Sequence, residues 1–218
     1  MVDITGKDLC KSYDKYLVFK GVSIELSDGD ILAVIGPSGS GKTTLLKIFG
    51  LIMKPTSGEL YFDDIEVTRI DETRLSDLRR SYIGYSFQEP IFIPSLNVIE
   101  NILIPYYPYA SRSELSRVKE NALKILDRLG LSGLDRRRPS DLSTGQRKRV
   151  DLARALIKDP KVLIVDEPTA NLDEESADII RDVIREYREM NRIVIFAAHR
   201  DEKLFKIASK KLDITKYK

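Results

Sequence analysis

The sequence predicts an α/β fold in which buried parallel strands alternate with amphipathic helices. Three apolar runs, at residues 31–35, 162–165 and 193–198, are typical of fully buried strands. A glycine-rich loop and a helical pattern follow the first run, and polar or charged residues end the other two. At 218 residues the chain is long enough for one large α/β domain or for a core with an inserted lobe.

Composition limits the classes of function. Lysine and arginine number 36 against 34 aspartates and glutamates, so the net charge of +2 does not indicate a nucleic-acid binder. The single cysteine, Cys10, excludes an intramolecular disulfide and agrees with a reducing cytoplasm. Residues 1–8 lack the layout of a signal peptide, and no apolar run approaches the roughly 20 residues that span a bilayer. We therefore expect a cytoplasmic protein that reaches a membrane only through a partner.

The first third of the chain predicts strands before and after the glycine-rich loop. Residues 4–26 indicate strands around a loop, because apolar and polar residues alternate before a turn at 27–30. Tyr13 lies in the polar stretch between these strands, where its ring would either stack on a base or pack on its own sheet. Residues 59–67 indicate a short hairpin.

Residues 36–44 read GPSGSGKTT and fit the phosphate-binding pattern G-x-x-x-x-G-K-[ST] between a strand and a helix. The helix N-terminus would direct unpaired N–H groups at phosphates, and an accidental glycine turn would lack this context. Lys42 would reach the β and γ phosphates, and Thr43 would offer its hydroxyl to Mg²⁺. The predicted nucleotide-binding residues of this loop are Gly36, Ser38, Gly39, Ser40, Gly41, Lys42, Thr43 and Thr44.

The middle of the chain predicts a helical lobe. Residues 82–87 have a strand pattern, and Gln88 places a polar amide at its tip, where catalytic residues of α/β sheets tend to lie. Residues 96–104 and 113–129 indicate helices, and Gly130 ends the second. Another helix follows Ser143, which stands at a capping position. This helix start is either a second anion-binding end or an ordinary cap.

Two buried strands end in residues that suit phosphate chemistry. Asp166 would hold Mg²⁺ beside Thr43, and Glu167 would accept a proton from an attacking water. The alternative is a solvated acidic pair, but the fully apolar strand before it argues for a site. His199 follows the strand at 193–198 and is well placed to reach a γ-phosphate, although a lone histidine is more often structural.

Taken in chain order, these motifs resemble the nucleotide-binding subunit of an ABC transporter. The resemblance implies a P-loop NTPase (RecA-like) core with an N-terminal antiparallel β subdomain and an inserted helical subdomain. Residues 1–218 would then form one ABC ATPase domain. Its core would comprise residues 1–88 and 160–218, and its helical subdomain, with the signature motif, residues 89–159.

The resemblance also implies a role for each motif. Two subunits of this family pack head to tail around ATP and Mg²⁺ and drive a membrane permease. Tyr13 would stack on adenine, and Gln88 would link Mg²⁺ or water to the permease. The other implied positions are the signature motif at 142–146 with Ser143, Gly145 and Gln146, the Walker B strand at 162–166 with Asp166, the general base Glu167, the D-loop at 170–173 with Asp173, and the switch residue His199.

Two features qualify the resemblance. Thr144 stands where the family motif L-S-G-G-Q has glycine, and a β-branched residue is less free at positive φ. This difference would weaken the ATP sandwich, although Ser143 and Gly145, the closer phosphate contacts, remain, and the size of the effect stays open. The chain after residue 210 predicts at most one strand, with no regulatory domain appended.

Residues 79–84, 87–88, 93–96 and 100–105 resemble the lipoprotein-release and macrolide-export branch of the family.

The sequence therefore predicts an ATPase subunit on the cytoplasmic face of a membrane, bound to an integral-membrane permease and to a second ATPase subunit. Two rival interpretations are a soluble ABC-type ATPase of DNA repair or translation and a P-loop metabolite kinase. The first normally carries a coiled-coil insertion or two cassettes, and the second has no need of residues 142–146. The cargo, the direction of transport and the choice between a homodimer and a heterodimer stay open.

Overall fold

The chain folds as three layers, in which a parallel sheet is covered by an antiparallel sheet on one side and by helices on the other. The computed structural model describes residues 2–199 and 201–218. The strands are β1 (Asp3–Tyr13), β2 (Tyr16–Ser27), β3 (Ile31–Ile35), β4 (Ser57–Phe62), β5 (Ile65–Glu66), β6 (Ile83–Ser86), β7 (Val162–Asp166), β8 (Ile193–Ala198) and β9 (Lys210–Asp213). The helices are α1 (Lys42–Phe49), α2 (Glu72–Tyr82), α3 (Val98–Leu103), α4 (Arg112–Arg128), α5 (Thr144–Leu156), α6 (Glu174–Glu189) and α7 (Glu202–Ile207).

The antiparallel sheet has the strand order β2-β1-β4-β5. Its long β1–β2 hairpin closes where Tyr13 faces Tyr16, and Asp14 takes a positive φ of 48° in the turn. The two-stranded β4–β5 hairpin joins the opposite edge of β1. Both hairpins expected from the alternation of apolar and polar residues are confirmed.

The parallel sheet has the strand order β6-β7-β8-β3-β9, and each of its pairings is parallel. Every residue of β7 and β8 is buried, as the apolar runs predict. The register pairs Ile35 with Ala198, and Asp166 with Ala197. Because parallel strands run in the same direction, the loops that follow β3, β6, β7 and β8 leave the same edge of the sheet.

Alternate residues of the central strands pack in opposite directions, as the period of a β-strand requires. Leu32 and Val34 of β3 join an apolar cluster with α1 and the antiparallel sheet. Ile31 and Ala33 join a second cluster, built with α3, α4, α5 and α6. The parallel sheet is therefore buried on both faces, which explains why its strands read as continuous apolar runs.

The helix ends follow the local sequence with small differences from expectation. Ser111 caps α4 in a capping box with Glu114, and Gly130, at φ 64°, follows its end as predicted. Helix α6 begins at Glu174, because Asp173 caps it by accepting a hydrogen bond from the Ser176 N–H. Tyr82 ends α2 rather than beginning β6. None of the described helices is both long enough and apolar enough to cross a membrane.

Candidate nucleotide-binding site

The glycine-rich loop after β3 wraps around the N-terminus of α1. Gly41 caps this helix at φ 103°, and a Cβ atom there would lie 2.7 Å from Val18 Cγ1. Gly36 has φ 154°, and a Cβ atom there would lie 2.7 Å from Ser40 Oγ. Both positions thus require glycine for conformation and for space. The loop thus leads directly into a helix N-terminus, as the motif predicts.

Lys42 lies inside this loop and is 5% exposed. Its Nζ donates hydrogen bonds of 3.0 Å to the carbonyl oxygens of Gly36 and Pro37. The same atom lies 3.7 Å from Glu167 Oε1. The ammonium group is therefore held between the loop that follows β3 and the carboxylate that follows β7.

Two buried polar atoms beside Lys42 lack a hydrogen-bond partner within the described part of the chain, namely Ser40 Oγ and Asp166 Oδ1. Asp166 is 2% exposed. Burial raises the pKa of its carboxyl group, while a hydrogen bond from Thr43 opposes this effect. Buried polar atoms without partners are costly, so these oxygens are suited to receive a ligand. The Asp166 carboxylate and the Thr43 hydroxyl are the hard oxygen donors that a small divalent cation prefers.

No group of three or more His, Cys, Asp or Glu side chains forms a metal cluster among residues 2–199 and 201–218.

Glu167 has an unusual backbone conformation, with φ 48°. Its N–H donates a 2.9 Å hydrogen bond to the Ala197 carbonyl, which ties the residue to β8. A left-handed conformation costs a non-glycine residue about 1–3 kcal/mol, and such strain concentrates at functional sites. The side chain is 19% exposed and therefore accessible.

Glu167 lies between two cavities. The larger, of about 580 Å³, is lined by Gln88, Thr144 and Lys148 as well as Glu167. The smaller, of about 290 Å³, is lined by Glu167, His199 and Asp201. The fold thus brings the predicted residues Gln88 and His199 to opposite sides of the predicted base.

A buried ion pair fixes the loops around the smaller cavity. Asp201 Oδ2 accepts hydrogen bonds from Thr169 Oγ1 at 2.7 Å and from Arg181 at 2.9 Å and 3.2 Å. Thr169 lies two residues after Glu167, and Asp201 lies two residues after His199. The carboxylate of Asp201 therefore joins the segments that carry these two predicted site residues.

The predicted signature segment forms the start of α5. Ser143 caps this helix and exchanges hydrogen bonds with Gln146 in a capping box, so both side chains also serve the helix end. Gly145 packs against α6, where an added Cβ would lie 3.2 Å from Ser176 Oγ. Among the residues that the structure describes, no hydrogen bond or ion pair joins this segment to the Lys42 loop of the same chain.

The argument that Thr144 would be strained at a positive φ is wrong. Thr144 is the first residue of α5, and it is absent from the described residues that have positive φ. Its branched side chain is therefore compatible with the local backbone. The cause lies in the cap: with Ser143 outside the helix, residue 144 already takes helical dihedral angles.

Two predicted nucleotide contacts have other local roles as well. Tyr13, at the end of β1, is 47% exposed, and its hydroxyl donates to Met53 Sδ at 3.2 Å. Lys11 lies over its ring, 5.2 Å from the centroid. Asp173 caps α6, and the hydrogen bond from the Ser176 N–H lowers the pKa of its carboxyl group. The exposed ring of Tyr13 remains accessible for stacking.

Lys148 and Asp151 were not predicted from the sequence, although the structure places both beside the site. Lys148 Nζ donates hydrogen bonds to the carbonyl oxygens of Glu167 and Ala170, and Asp151 accepts from Ser86 Oγ. Their only signal in the sequence is the spacing of three residues, which puts both on one face of α5. Such a pair is also typical of a solvated helix face. Only the burial of both side chains in the folded structure shows that they contribute to the site.

The site defines the class of protein. A strand, a glycine-rich loop with its lysine, and a buried strand that ends in an acidic pair are the parts of a P-loop NTPase. The family model described as ABC transporter matches residues 19–170. The chain therefore belongs to the ABC transporter family and is an ATPase of the ATP-binding-cassette type.

Individual relatives agree with this assignment. An uncharacterized ABC transporter ATP-binding protein of Thermotoga maritima is 38% identical, over 88% of this chain and 83% of the relative. The lipoprotein-releasing system ATP-binding protein LolD of Bacteroides fragilis is 33% identical, over 96% and 95%. The macrolide export ATP-binding/permease protein MacB of Campylobacter jejuni is 35% identical over 95% of this chain, which spans only 32% of that protein.

Solved structures match the whole fold. The dimeric structure of MJ0796, a bacterial ABC transporter cassette, superposes with a TM-score of 0.88 at 31% identity, over 97% of this chain and 94% of the other. A post-hydrolysis state of the same cassette, bound to ADP and Pi, has a TM-score of 0.86 at 30% identity, with the same coverage. The predicted fold class and the resemblance to the lipoprotein-release and macrolide-export branch are confirmed.

The ion pair at Asp201 predicts a pH-dependent contribution to stability. Burial acts to raise the pKa of Asp201, but hydrogen bonds from Thr169, the Leu204 N–H and Arg181 outweigh it and lower the pKa. We expect Asp201→Asn to reduce the free energy of unfolding by about 1–3 kcal/mol near neutral pH. A depressed pKa stabilises the folded state above the unfolded value of about 3.9, and this contribution is lost as the pH falls through the folded value.

Urea unfolding measures the free energy of unfolding of Asp201→Asn and of the wild type, once at neutral pH and once at a pH below the pKa that Asp201 has in the unfolded chain. The difference from wild type should shrink in acid. Asp182→Asn is the matched control, because Asp182 pairs with Arg185 on the exposed face of α6 and its side chain is 60% exposed. An equal loss for both variants at every pH would contradict the assignment.

Proposed function

We propose that the chain binds and hydrolyses ATP as a subunit that dimerises around two Mg-ATP molecules and drives a separate membrane permease. The observation that carries the proposal is the convergence of Lys42, Asp166 and Glu167 at the carboxyl edge of the parallel sheet. A phosphate-binding loop, a cation-binding acid and a base are then within reach of one γ-phosphate. Family membership favours this function over a metabolite kinase.

The residues around the glycine-rich loop would bind the triphosphate. Lys42 would exchange the carbonyl oxygens of Gly36 and Pro37 for phosphate oxygens, which are stronger acceptors for an ammonium group. Thr43, Asp166 and Gln88 would hold Mg²⁺. The ion, when bound, would supply charge neutralisation to the β and γ phosphates. Ser38, Gly39, Ser40 and Thr44 would complete the loop that encloses the phosphates.

Glu167 would serve as the general base. Its carboxylate lies beside Lys42 and lines both cavities, so a water molecule can approach it from either side. His199 would contact the γ-phosphate from the smaller cavity. Gln88, which lines the larger cavity, would bind Mg²⁺ or water and link the site to the permease. The chain's contribution is mainly positioning and charge stabilisation, as expected for phosphoryl transfer.

Two copies of the chain, or this chain and a related one, would complete each site. Ser143, Gly145 and Gln146 lie in the first turn of α5, where the capping box pairs the N–H groups of Ser143 and Gln146 within the chain and the helix N-terminus begins at the exposed residue Ser143. ATP bound to one subunit would be covered by this segment of the second subunit, while Tyr13 stacks on the adenine. Asp173, at the start of α6, would lie at the same interface. The matched dimeric cassette supports this arrangement.

A permease would link the dimer to the membrane. Residues 89–159, which we propose as the helical subdomain, and Gln88 would transmit closure of the dimer to it. The names of the relatives LolD and MacB support a partner from the lipoprotein-release or macrolide-export branch. The protein would then lie on the cytoplasmic face of the cell membrane. Its balanced charge gives no reason to expect a nucleic-acid partner.

The first test separates the base from the phosphate-binding lysine. We expect Glu167→Gln to lower kcat by about 100-fold or more, because an amide cannot accept the proton, while ATP binding persists. Lys42→Ala should lose ATP binding itself. Steady-state ATPase assays and titration with a fluorescent ATP analogue measure the two effects. Glu189→Gln and Lys20→Ala, both at exposed positions, are the matched controls. A Glu167→Gln variant with most of its activity would show that another group is the base.

The second test asks whether Ser143 acts on ATP held by the other subunit. A dimer of one Ser143→Ala chain and one Lys42→Ala chain retains one site with both residues intact. We expect a mixture of the two inactive variants to recover part of the ATPase activity, and mixing each variant with itself provides the control. Complete absence of recovery would contradict the composite site.

The third test identifies the partner. Tagged Glu167→Gln protein with Mg-ATP is used to capture proteins from detergent-solubilised native membranes, and mass spectrometry identifies them. We expect a permease with few spans and a large extracytoplasmic domain, captured less efficiently by Lys42→Ala. A permease with many spans would contradict the branch, and soluble partners alone would contradict the transport function.

A further inference from the structure

Lys148 is a buried lysine that does not belong to any of the predicted motifs. It is 8% exposed, and its stem begins on the buried side of α5. Its Nζ donates hydrogen bonds to the carbonyl oxygens of Glu167 at 2.7 Å and Ala170 at 3.1 Å. Burying an ammonium group is costly unless it is paired and hydrogen-bonded. The two carbonyl oxygens that accept from Lys148 therefore compensate a cost that a residue without a role would not incur.

The turn that Lys148 contacts is weakly closed by its own backbone. Glu167 and Asn171 both have positive φ, at 48° and 60°. The hydrogen bond that closes the turn, from the Ala170 N–H to the Glu167 carbonyl, is long, at 3.4 Å. The ammonium of Lys148 bridges the carbonyl oxygens at both ends of this turn. It therefore stabilises a backbone conformation that an L-residue rarely adopts.

Helix α5 provides a fixed base for this contact. Asp151, one turn further along and 0% exposed, accepts hydrogen bonds from Ser86 Oγ at 2.8 Å and from the Phe87 N–H at 2.7 Å. Arg154 pairs with Asp151 and donates to the Ile91 carbonyl at 2.6 Å. The helix is thus fastened to the chain on both sides of Gln88, and Lys148 extends from it to Glu167.

The carboxylates around Lys148 offset part of the cost of burying its ammonium group. Burial lowers the pKa of Lys148 and outweighs the carboxylates of Glu167, Asp166 and Asp151, which act in the opposite direction. A neutral donor of the same length would satisfy the carbonyl oxygens less strongly, because charge-assisted hydrogen bonds are about twice as strong as neutral ones.

We infer that Lys148 is a positioning residue for hydrolysis: by bridging the carbonyl oxygens of Glu167 and Ala170, it holds the Glu167 carboxylate in its reactive orientation. The inference rests on the proposed role of Glu167 as the base. The inference has a structural consequence, because Lys148 lies on α5 only two residues after the signature segment. The segment that covers the nucleotide of a second subunit is thereby connected to the base of its own subunit.

The test compares Lys148→Met, which keeps the length of the side chain but has no donor, with Lys148→Arg, which keeps charge and donors. Lys148→Met should lower kcat by about 100-fold, since a displacement of about 1 Å has that effect, while KM and ATP affinity stay at the wild-type values. Lys148→Arg should recover part of kcat. Lys124→Met, at an exposed position on α4, is the matched control and should behave as wild type.

Chemical rescue distinguishes positioning from a structural role. In Lys148→Ala, n-propylammonium can enter the missing volume from the cavity of about 580 Å³ that Lys148 lines, and it should restore part of kcat without changing KM. The same salt should not affect Lys124→Ala. Should Lys148→Met fail to fold, Lys148→Gln tests the loss of charge instead, because its amide is a shorter and neutral donor.

The outcomes separate this inference from the proposed function. Wild-type kcat in Lys148→Met, or a loss of kcat that neither Lys148→Arg nor propylammonium reverses, would overturn the inference while the ATPase stands. A wild-type chain that does not hydrolyse ATP, or an active Glu167→Gln variant, would instead refute the proposed function. Thermal unfolding of each variant, measured beside the kinetics, verifies that the compared proteins are folded.

Discussion

The rest of the structure depends on the parallel pairing of β3, β7 and β8. Their register places Ile35, Asp166 and Ala198 at one edge of the sheet, so the loops that follow them emerge together. The strands can pair in this way because both faces of the sheet are covered by apolar clusters. Backbone hydrogen bonds along the strands are thereby shielded from water, and the edge where the strands end is left for chemistry.

At that edge, charge is buried only where another group compensates it. Lys42 is held by two carbonyl oxygens and by Glu167, and Asp201 is held by Thr169 and Arg181. Asp166 is the exception, because one of its carboxylate oxygens is buried without a partner in the described chain. An uncompensated buried oxygen is expensive, which is why a cation at this position would stabilise the folded state as well as the triphosphate.

Helix α5 joins features that are far apart in the sequence. Its first turn carries the segment proposed to cover the nucleotide of another subunit, and its buried face contacts both the Gln88 loop and the Glu167 turn. Movement of that helix therefore cannot leave either loop unchanged. If a permease binds near Gln88, as proposed above, it would act on Glu167, the proposed base, through the same contacts, with Asp151 and Lys148 as the connecting side chains.

The fold class, the phosphate-binding loop and the two strands that lead to Asp166 and His199 could all be predicted from the residues alone. These features rest on local rules: apolar runs of strand length, glycine-rich turns and capping residues such as Ser143. The roles of Lys148, Asp151 and Asp201 became visible only in the folded chain, because their partners lie on other elements. Spacing on one helix cannot reveal what packs against its face. Thr144 is a further example, because its dihedral angles depend on where α5 begins. The signature motif alone did not show that Thr144 is the first residue of the helix.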